Sequence, residues 1–386
     1  MGYPGARRSS ADVSDRRRIS LLGEEAVAIY VRVIINSHPS KYERTRYILE
    51  TMLSTLGLSF EFIFTLKEIE ADEPRRYVYL VVGLPDNGVM DHLAQETVIV
   101  AVPEPDLGTL PGDRQPSDLH LQQPVVDPTQ VTILSRPTSR GCLVGIRDDI
   151  LGPAFRLLTR CEEYVVSDRD KHDRFLWAHS PLKSSIAPTD PLVSRYAHLL
   201  LDCLQSGCLQ AGLPTVRKEF WPLGKSVAGC LSHDVDVVRR GKLPRGVAVR
   251  DVTGALSSLG RGAFGKAGHQ FVSIARTAIS NRDPYWTFDR IFAMEREKDY
   301  RSTYFFMAES LHSEDVAYEL KSPKIARLMS ELAEQGCEIG LHGSYETHSD
   351  PDLLNRHKKL LEEQLGREVV GHRNHLLRFR ISESWK

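Results

Sequence analysis

Apolar residues run almost unbroken through AVAIYVRVII, residues 26–35, and this β-rich stretch predicts a buried strand. Directly after it the period changes. Ile48, Met52, Leu53 and Leu56 recur at helical spacing, Ser40 and Glu43 can form a capping box, and Gly57 stands where a C′ glycine closes a helix. RYVYLVVG (76–83) predicts a second buried strand. Residues 86–137 are rich in proline and polar side chains, with only short apolar runs such as TVIVAV, and predict no long element. Further on, ILGPAFRLLTRCEEYV predicts a mixed apolar helix and SDRDKHDRF a charged loop. PLVSRYAHLLLDCLQ predicts an amphipathic helix with Leu192, Tyr196, Leu199, Leu200 and Cys203 on one side.

The second half alternates strictly. VAGCLSHDVD (227–236), STYFFM (302–307), CEIGLH (337–342) and EVVGHR (368–373) are strand-like, and helical segments separate them. Thr287 can cap a helix carrying Phe288, Ile291, Phe292 and Glu295. Ser322 and Pro323 open another, with Ile325, Leu328, Met329 and Leu332 on one face and Gly336 at its end. Asp350 and Pro351 open a third, apolar at Leu353, Leu354, Leu360, Leu361 and Leu365 and closed by Gly366. Such alternation predicts βα units and parallel pairing. Residues 237–281 read as an insertion. Their GRGAFGKAG lacks the terminal GK[ST] of a phosphate loop and predicts a flexible excursion over the site.

Composition narrows the class of partner. The 386 residues carry 50 Lys and Arg against 51 Asp and Glu, so no global field favours nucleic acid. Six scattered cysteines without a CxxC pair argue against a zinc knuckle or a disulfide scaffold, and predict a reducing, cytoplasmic location. Residues 1–20 are basic but precede no apolar core of a signal peptide, and predict a disordered leader; nothing predicts a membrane span. The expected organisation is an α/β or α+β N-terminal domain over 21–220 and a parallel α/β domain over 221–386.

Candidate chemistry collects where the parallel strands end, as it does in α/β barrels and open sheets. The first strand of the second half ends in His233, Asp234 and Asp236, the third in His342, and the fourth in Arg373 with His375 beyond. Asp234 and Asp236 are two apart, so in an extended chain they share a face. One carboxylate can ligate a metal while the other takes a proton from metal-bound water. His342 follows EIGL directly and reaches the rim by way of its strand. For the remaining ligand two histidines compete: His348, provided GSYET turns, and His375, which shares a strand face with Arg373. The adjacent His233 and Asp234 also suggest an HD-type phosphohydrolase, but those sites place the pair on helices.

Taken together, LSHDVD, LHGSYETH and GHRNHLLRF resemble the three motifs of the polysaccharide deacetylase superfamily, the NodB-homology domains of carbohydrate esterase family four. DPYWTF, STYFFM and LLTRCEEYVVSDRDKHDRF are similar to segments of a bacterial subfamily with an extra N-terminal domain. The resemblance implies an incomplete, distorted (β/α) barrel. It also implies hydrolysis of a carbon–nitrogen, non-peptide bond, the removal of an N-acetyl group from a carbohydrate. It makes Asp234 the general base and Arg373 the group that positions it. Asp236, His342 and His348 would be the ligands of a divalent metal, expected to be zinc. In the family motif the second histidine comes four residues after the first; here Glu346 stands there, and His348 is the substitute. With fewer strands than the family's barrel needs, the chain is read as C-terminally truncated. A non-catalytic carbohydrate-binding protein of the same fold is the rival expectation.

Overall fold

A computed structural model describes residues 30–63, 77–83, 97–107, 125–138, 140–213, 215, 221–239, 249–279, 283, 285–316 and 318–384. The expected leader, 1–20, and the start of the first apolar run lie outside the described residues. Two compact units form. One comprises Met1–Asp168 and Trp177–Ala228, the other Arg169–Leu176 and Gly229–Lys386.

In the first unit the apolar runs become strands β1 (Tyr30–Ile35), β2 (Ser59–Ile63), β3 (Val78–Val82), β4 (Val98–Val102), β5 (Ile133–Pro137) and β6 (Cys142–Ile146). Their order is β2-β1-β3-β4-β6-β5, parallel throughout except for the final β5–β6 pair. Every residue of β3 and β4 is buried, as expected where both faces of a parallel sheet are covered. Thus TVIVAV, too short to stand out alone, is a central strand. Helices α1 (Pro39–Thr55), α2 (Leu151–Thr159) and α3 (Leu192–Gln210) share one core with the sheet, built on Ile48, Met52, Leu53, Tyr196, Leu200 and Leu204. At Gly207 any Cβ would lie 2.6 Å from Val98 Cγ1, so only glycine lets α3 approach β4 this closely.

Two local expectations change. The start of α1 is capped by the His38 ring, whose Nδ1 accepts the Ser40 N–H at 3.3 Å, and not by a Ser40–Glu43 box. Pro39, with its fixed φ and missing N–H, suits the first turn, and the cap lies two residues before the expected Ser40. The second change is in the 151–164 region. There Arg160 takes φ 51° and ends α2, and a 3₁₀ turn follows.

The second unit has β7 (Leu231–Asp234), β8 (Ser302–Met307), β9 (Glu338–His342) and β10 (His372–Arg373), all parallel and neighbours in chain order. This sequential parallel sheet curls into a half-barrel. Helices α4 (Val249–Gly260), α5 (Phe264–Ile279) and α6 (Phe288–Glu297) lie between β7 and β8, α7 (Pro323–Glu334) before β9, and α8 (Pro351–Leu365) before β10. Asp350 caps α8 by accepting the Leu353 N–H at 2.9 Å. Ile325, Leu328, Met329 and Leu332 of α7 pack with Tyr304, Phe306, Ile339 and Leu341; each such aliphatic side chain contributes roughly 1.5–3 kcal/mol by burial.

The interval 237–281 holds α4 and α5 where a flexible excursion was expected. Its glycines disguise a helical period, and Gly262, at φ 74°, makes the turn between the two helices. The fourth strand also shrinks to two residues. Val369 turns into the core with its N–H on Glu362 Oε1 at 3.0 Å, while Val370 is 77% exposed.

On the helix side of β7, His233 bonds Glu295 Oε1 at 2.6 Å and packs at a tilt against the Tyr304 ring. Glu295 is buried and also accepts Ser302 Oγ–H at 2.6 Å and Tyr304 O–H at 3.2 Å. Burial alone would push its carboxyl up, but the bonds from Ser302, His233 and Tyr304 outweigh it and hold it below the ordinary carboxylate range. A depressed pKa stabilises the fold above the unfolded carboxyl's value, and that stability is lost as pH falls through the folded value. Glu295→Gln is therefore expected to cost about 1–3 kcal/mol at neutral pH. In denaturant titrations its gap to the parent should narrow towards acid pH.

Candidate metal centre

Strand alternation builds the site. In β7 Ser232 and Asp234 point away from the helices, and the register continues that face through Phe305 of β8, Gly340 and His342 of β9 and Arg373 of β10. Phe305 lies flat because its neighbours are glycines: a Cβ on Gly340 would stand 2.6 Å from ring atoms Cδ1 and Cε1. The Arg373 guanidinium rests on this ring, with Cζ 4.4 Å from the centroid. From there Arg373 donates to Asp234 Oδ1 at 2.8 Å and to Ser232 Oγ at 2.7 Å. One planar fork thus sets the Asp234 carboxylate.

Asp236 has other partners. Its Oδ1 lies 3.1 Å from His342 Nε2 and 3.8 Å from His375 Nδ1, and those two nitrogens are 3.0 Å apart. Among the described residues Asp236, His342 and His375 form the group that could hold a metal ion, their ligand atoms all within 4.8 Å of one another. His348 stands outside it. Its Nδ1 bonds the Tyr345 carbonyl at 3.2 Å, and its Nε2 is buried without a hydrogen-bond partner. The place that the sequence reading gave to His348 is taken by His375. GSYET does turn, but the turn folds the His348 ring back onto its own backbone.

The tautomers follow from the backbone. His342 Nδ1 faces the Arg373 carbonyl at 3.1 Å, and His375 Nε2 faces the Glu314 carbonyl at 2.9 Å. A carbonyl only accepts, so both of these nitrogens carry hydrogen. In the neutral rings His342 Nε2 and His375 Nδ1 are then bare lone pairs, facing each other and a carboxylate oxygen. Three acceptors with no hydrogen among them call for a cation. Backbone carbonyls that orient metal-ligating imidazoles are the usual outer partners of such ligands, and the N, N, O donor set fits a divalent ion. A proton competes with a metal for the same place: a proton shared with His342 holds Asp236 below the ordinary carboxylate pKa, and burial presses His342 down, but Asp236 and the Arg373 carbonyl outweigh it and raise it. Burial, reinforced by Arg378, lowers His348. A cavity of about 240 Å³ shares Asp236 and His375 in its wall, with Val237, Val238, Val316 and Leu376 beside them.

Residues 169–176 belong to this unit and hold the loop that carries His375. Leu376 and Leu377 follow with φ 55° and 54°, a left-handed conformation that costs an L-residue roughly 1–2 kcal/mol. Arg174 Nη1 donates to the Leu376 carbonyl at 3.1 Å and is itself anchored on Asp170, whose carboxyl it holds down to about 2. The buried Arg378 donates to the His172 carbonyl at 2.9 Å, and Arg380 pairs with Asp173. Arg174→Ala is expected to release this loop and weaken metal affinity by about 10–100-fold, with Arg174→Lys in between. Chelator competition measures it, and an equal loss for an Asp170→Asn control would place the anchor in the same chain of bonds.

Ser232, Phe305 and Glu314 are functional residues that the sequence reading missed. Ser232 was findable, standing two before Asp234. Glu314 offers only a carbonyl, and no side-chain pattern announces that.

Comparison with known proteins finds a match that covers most of the first unit and the short segment 169–176 of the second. Residues 33–208 match a family of unknown function, DUF7033. The match ends before β7, so Asp234, Asp236, His342, Arg373 and His375 all lie outside it. No curated protein and no solved structure matches the chain.

Proposed function

We propose that the second unit is a metal-dependent hydrolase of carbon–nitrogen bonds in amides, acting to remove N-acetyl groups from a carbohydrate. The observation that carries this is the trio of bare acceptors on Asp236, His342 and His375, beside a second carboxylate, Asp234, that is kept out of the trio by Arg373. Two carboxylates with separate partners suit separate duties. A divalent ion held by Asp236, His342 and His375, zinc by its donor set, would polarise an amide carbonyl and acidify a water.

Asp234 then serves as the base. Its Oδ2 is not the atom bonded to Arg373 Nη1, and it can take the proton of an attacking water. Arg373 favours the ionised carboxylate and fixes its rotamer, while Phe305 and the flat β9 glycine prevent the guanidinium from sinking into the sheet. Val237, Val238 and Val316 in the cavity wall offer apolar contact to an acyl methyl. The incomplete, distorted (β/α) barrel expected from the motifs is part of the same proposal, supported by the sequential parallel order of the four strands. So is a cytoplasmic location, with all six cysteines free.

Acetate release tests the reading. The purified full chain, loaded with zinc, should liberate acetate from N-acetylglucosamine oligomers, and chelator-stripped protein should not. Metal-dependent retention on the oligomers without acetate release would instead favour the carbohydrate-binding alternative. Turnover of phosphate esters with no amide turnover would exclude both.

A further inference from the structure

Helices α4 and α5 pack on one another in an unusual sense. Their small residues are inside: Ala255 is 0% exposed and Ala267 1%, with Ser258 close behind at 9%. Their large residues are outside, with Phe264 70% exposed, Val249 56%, Leu256 54%, Val272 52%, Leu259 44% and Phe271 40%. A helix pair that served the fold alone would turn those side chains inward. They are not scattered, either. Val249, Val252, Leu256 and Leu259 follow a spacing of three, four and three along α4, and Phe264, Phe271 and Val272 share a side of α5, so each helix carries an apolar stripe.

Charge accompanies the stripes. Residues 237–281 hold eight lysines and arginines and one acid, Asp251, in a chain of net charge −1. On the helices and their turn the basic residues are Arg250, Arg261, Lys266 and Arg276. Apolar stripes on a hairpin of net positive charge match the surface of an anionic membrane, where acyl chains receive the stripes and the anionic headgroups attract the hairpin as a whole. A nucleic acid would neutralise the cations and leave Phe264 and Phe271 in water. A second copy would bring like charges together.

We propose that the α4–α5 hairpin docks the protein on an anionic lipid surface, lying in the plane of the interface with Phe264, Phe271 and Leu256 in the acyl boundary. No helix among the described residues is long and apolar enough to cross a membrane, so the contact is peripheral. This docking stands independently of the metal centre, which shares none of its residues.

The test uses the full chain and sedimentation with vesicles of phosphatidylcholine, with or without about 30% phosphatidylglycerol. Binding is expected to the anionic vesicles alone, to weaken with salt, and to fall on the order of tenfold or more in the double variant Phe264→Glu, Phe271→Glu. Both side chains are exposed, so the variant's melting temperature and zinc content should match the parent's. If the variant fails to fold, Phe264→Trp replaces it, and its emission should shift to the blue and be quenched by brominated lipid. No binding to anionic vesicles overturns the proposal. So does binding unaffected by the double variant, an unshifted Phe264→Trp spectrum, a preference for DNA over vesicles, or a dimer that the double variant dissolves without any vesicle binding.

Discussion

His375→Ala is expected to weaken zinc binding by at least about a hundredfold, and His348→Ala to leave it unchanged. The difference rests on where each ring's lone pair lies. The Glu314 carbonyl claims the Nε2 hydrogen of His375 and leaves Nδ1 bare, 3.0 Å from His342 Nε2 and 3.8 Å from Asp236 Oδ1. His348 holds its Nδ1 against the Tyr345 carbonyl, and its Nε2 belongs to no ligand group among the described residues. Asp236→Asn and His342→Ala should lose as much as His375→Ala, because each removes one of three donors. Competition against a chromophoric chelator reads all four affinities, and cobalt substitution reads the geometry from its visible bands. Equal losses for His348→Ala and His375→Ala would break the assignment. His348 should instead respond in stability, since its ring is buried and its replacement leaves a cavity.

The second large effect separates chemistry from metal binding. Asp234→Asn should reduce kcat for acetate release by roughly 10²–10⁴-fold, the range typical for loss of a general base, while zinc affinity stays with the parent. Asparagine keeps an oxygen for the Arg373 fork, so the site's shape survives and only the proton acceptor is lost. Arg373→Lys should also cost kcat. An ammonium can reach Asp234 Oδ1 or Ser232 Oγ but cannot hold both at 2.8 and 2.7 Å in one plane, nor lie flat on Phe305. A lost pKa on the acid limb of the kcat profile of Asp234→Asn would identify the base, and an unchanged profile with unchanged kcat would remove Asp234 from that duty.

Much of the second unit was open to inspection in the primary structure. Its strands are short apolar runs, its helix starts carry Ser-Pro and Asp-Pro, and its helix ends carry Gly336 and Gly366, at φ 83° and 69°. Their positions at the ends of strand-like runs were enough to put Asp234, His342 and Arg373 at one rim; that they share a face comes from the register. The hairpin at 249–279 was hidden because its glycines look like loop signals, and because its large apolar residues satisfy no core of their own.

What the sequence determined by itself was therefore local: where strands and helices run, and which side chains emerge together at the strand ends. Tertiary structure alone decided the third member of the group that could hold a metal. His342, His348 and His375 are chemically alike, and no spacing rule ranks the last two. The ranking comes from two backbone carbonyls, at Glu314 and Arg373, that claim one ring hydrogen each, and from residues 169–176, some 200 positions upstream, that hold Leu376 in a left-handed turn. Carbonyls are present at every residue, so their placement is invisible until the chain has folded.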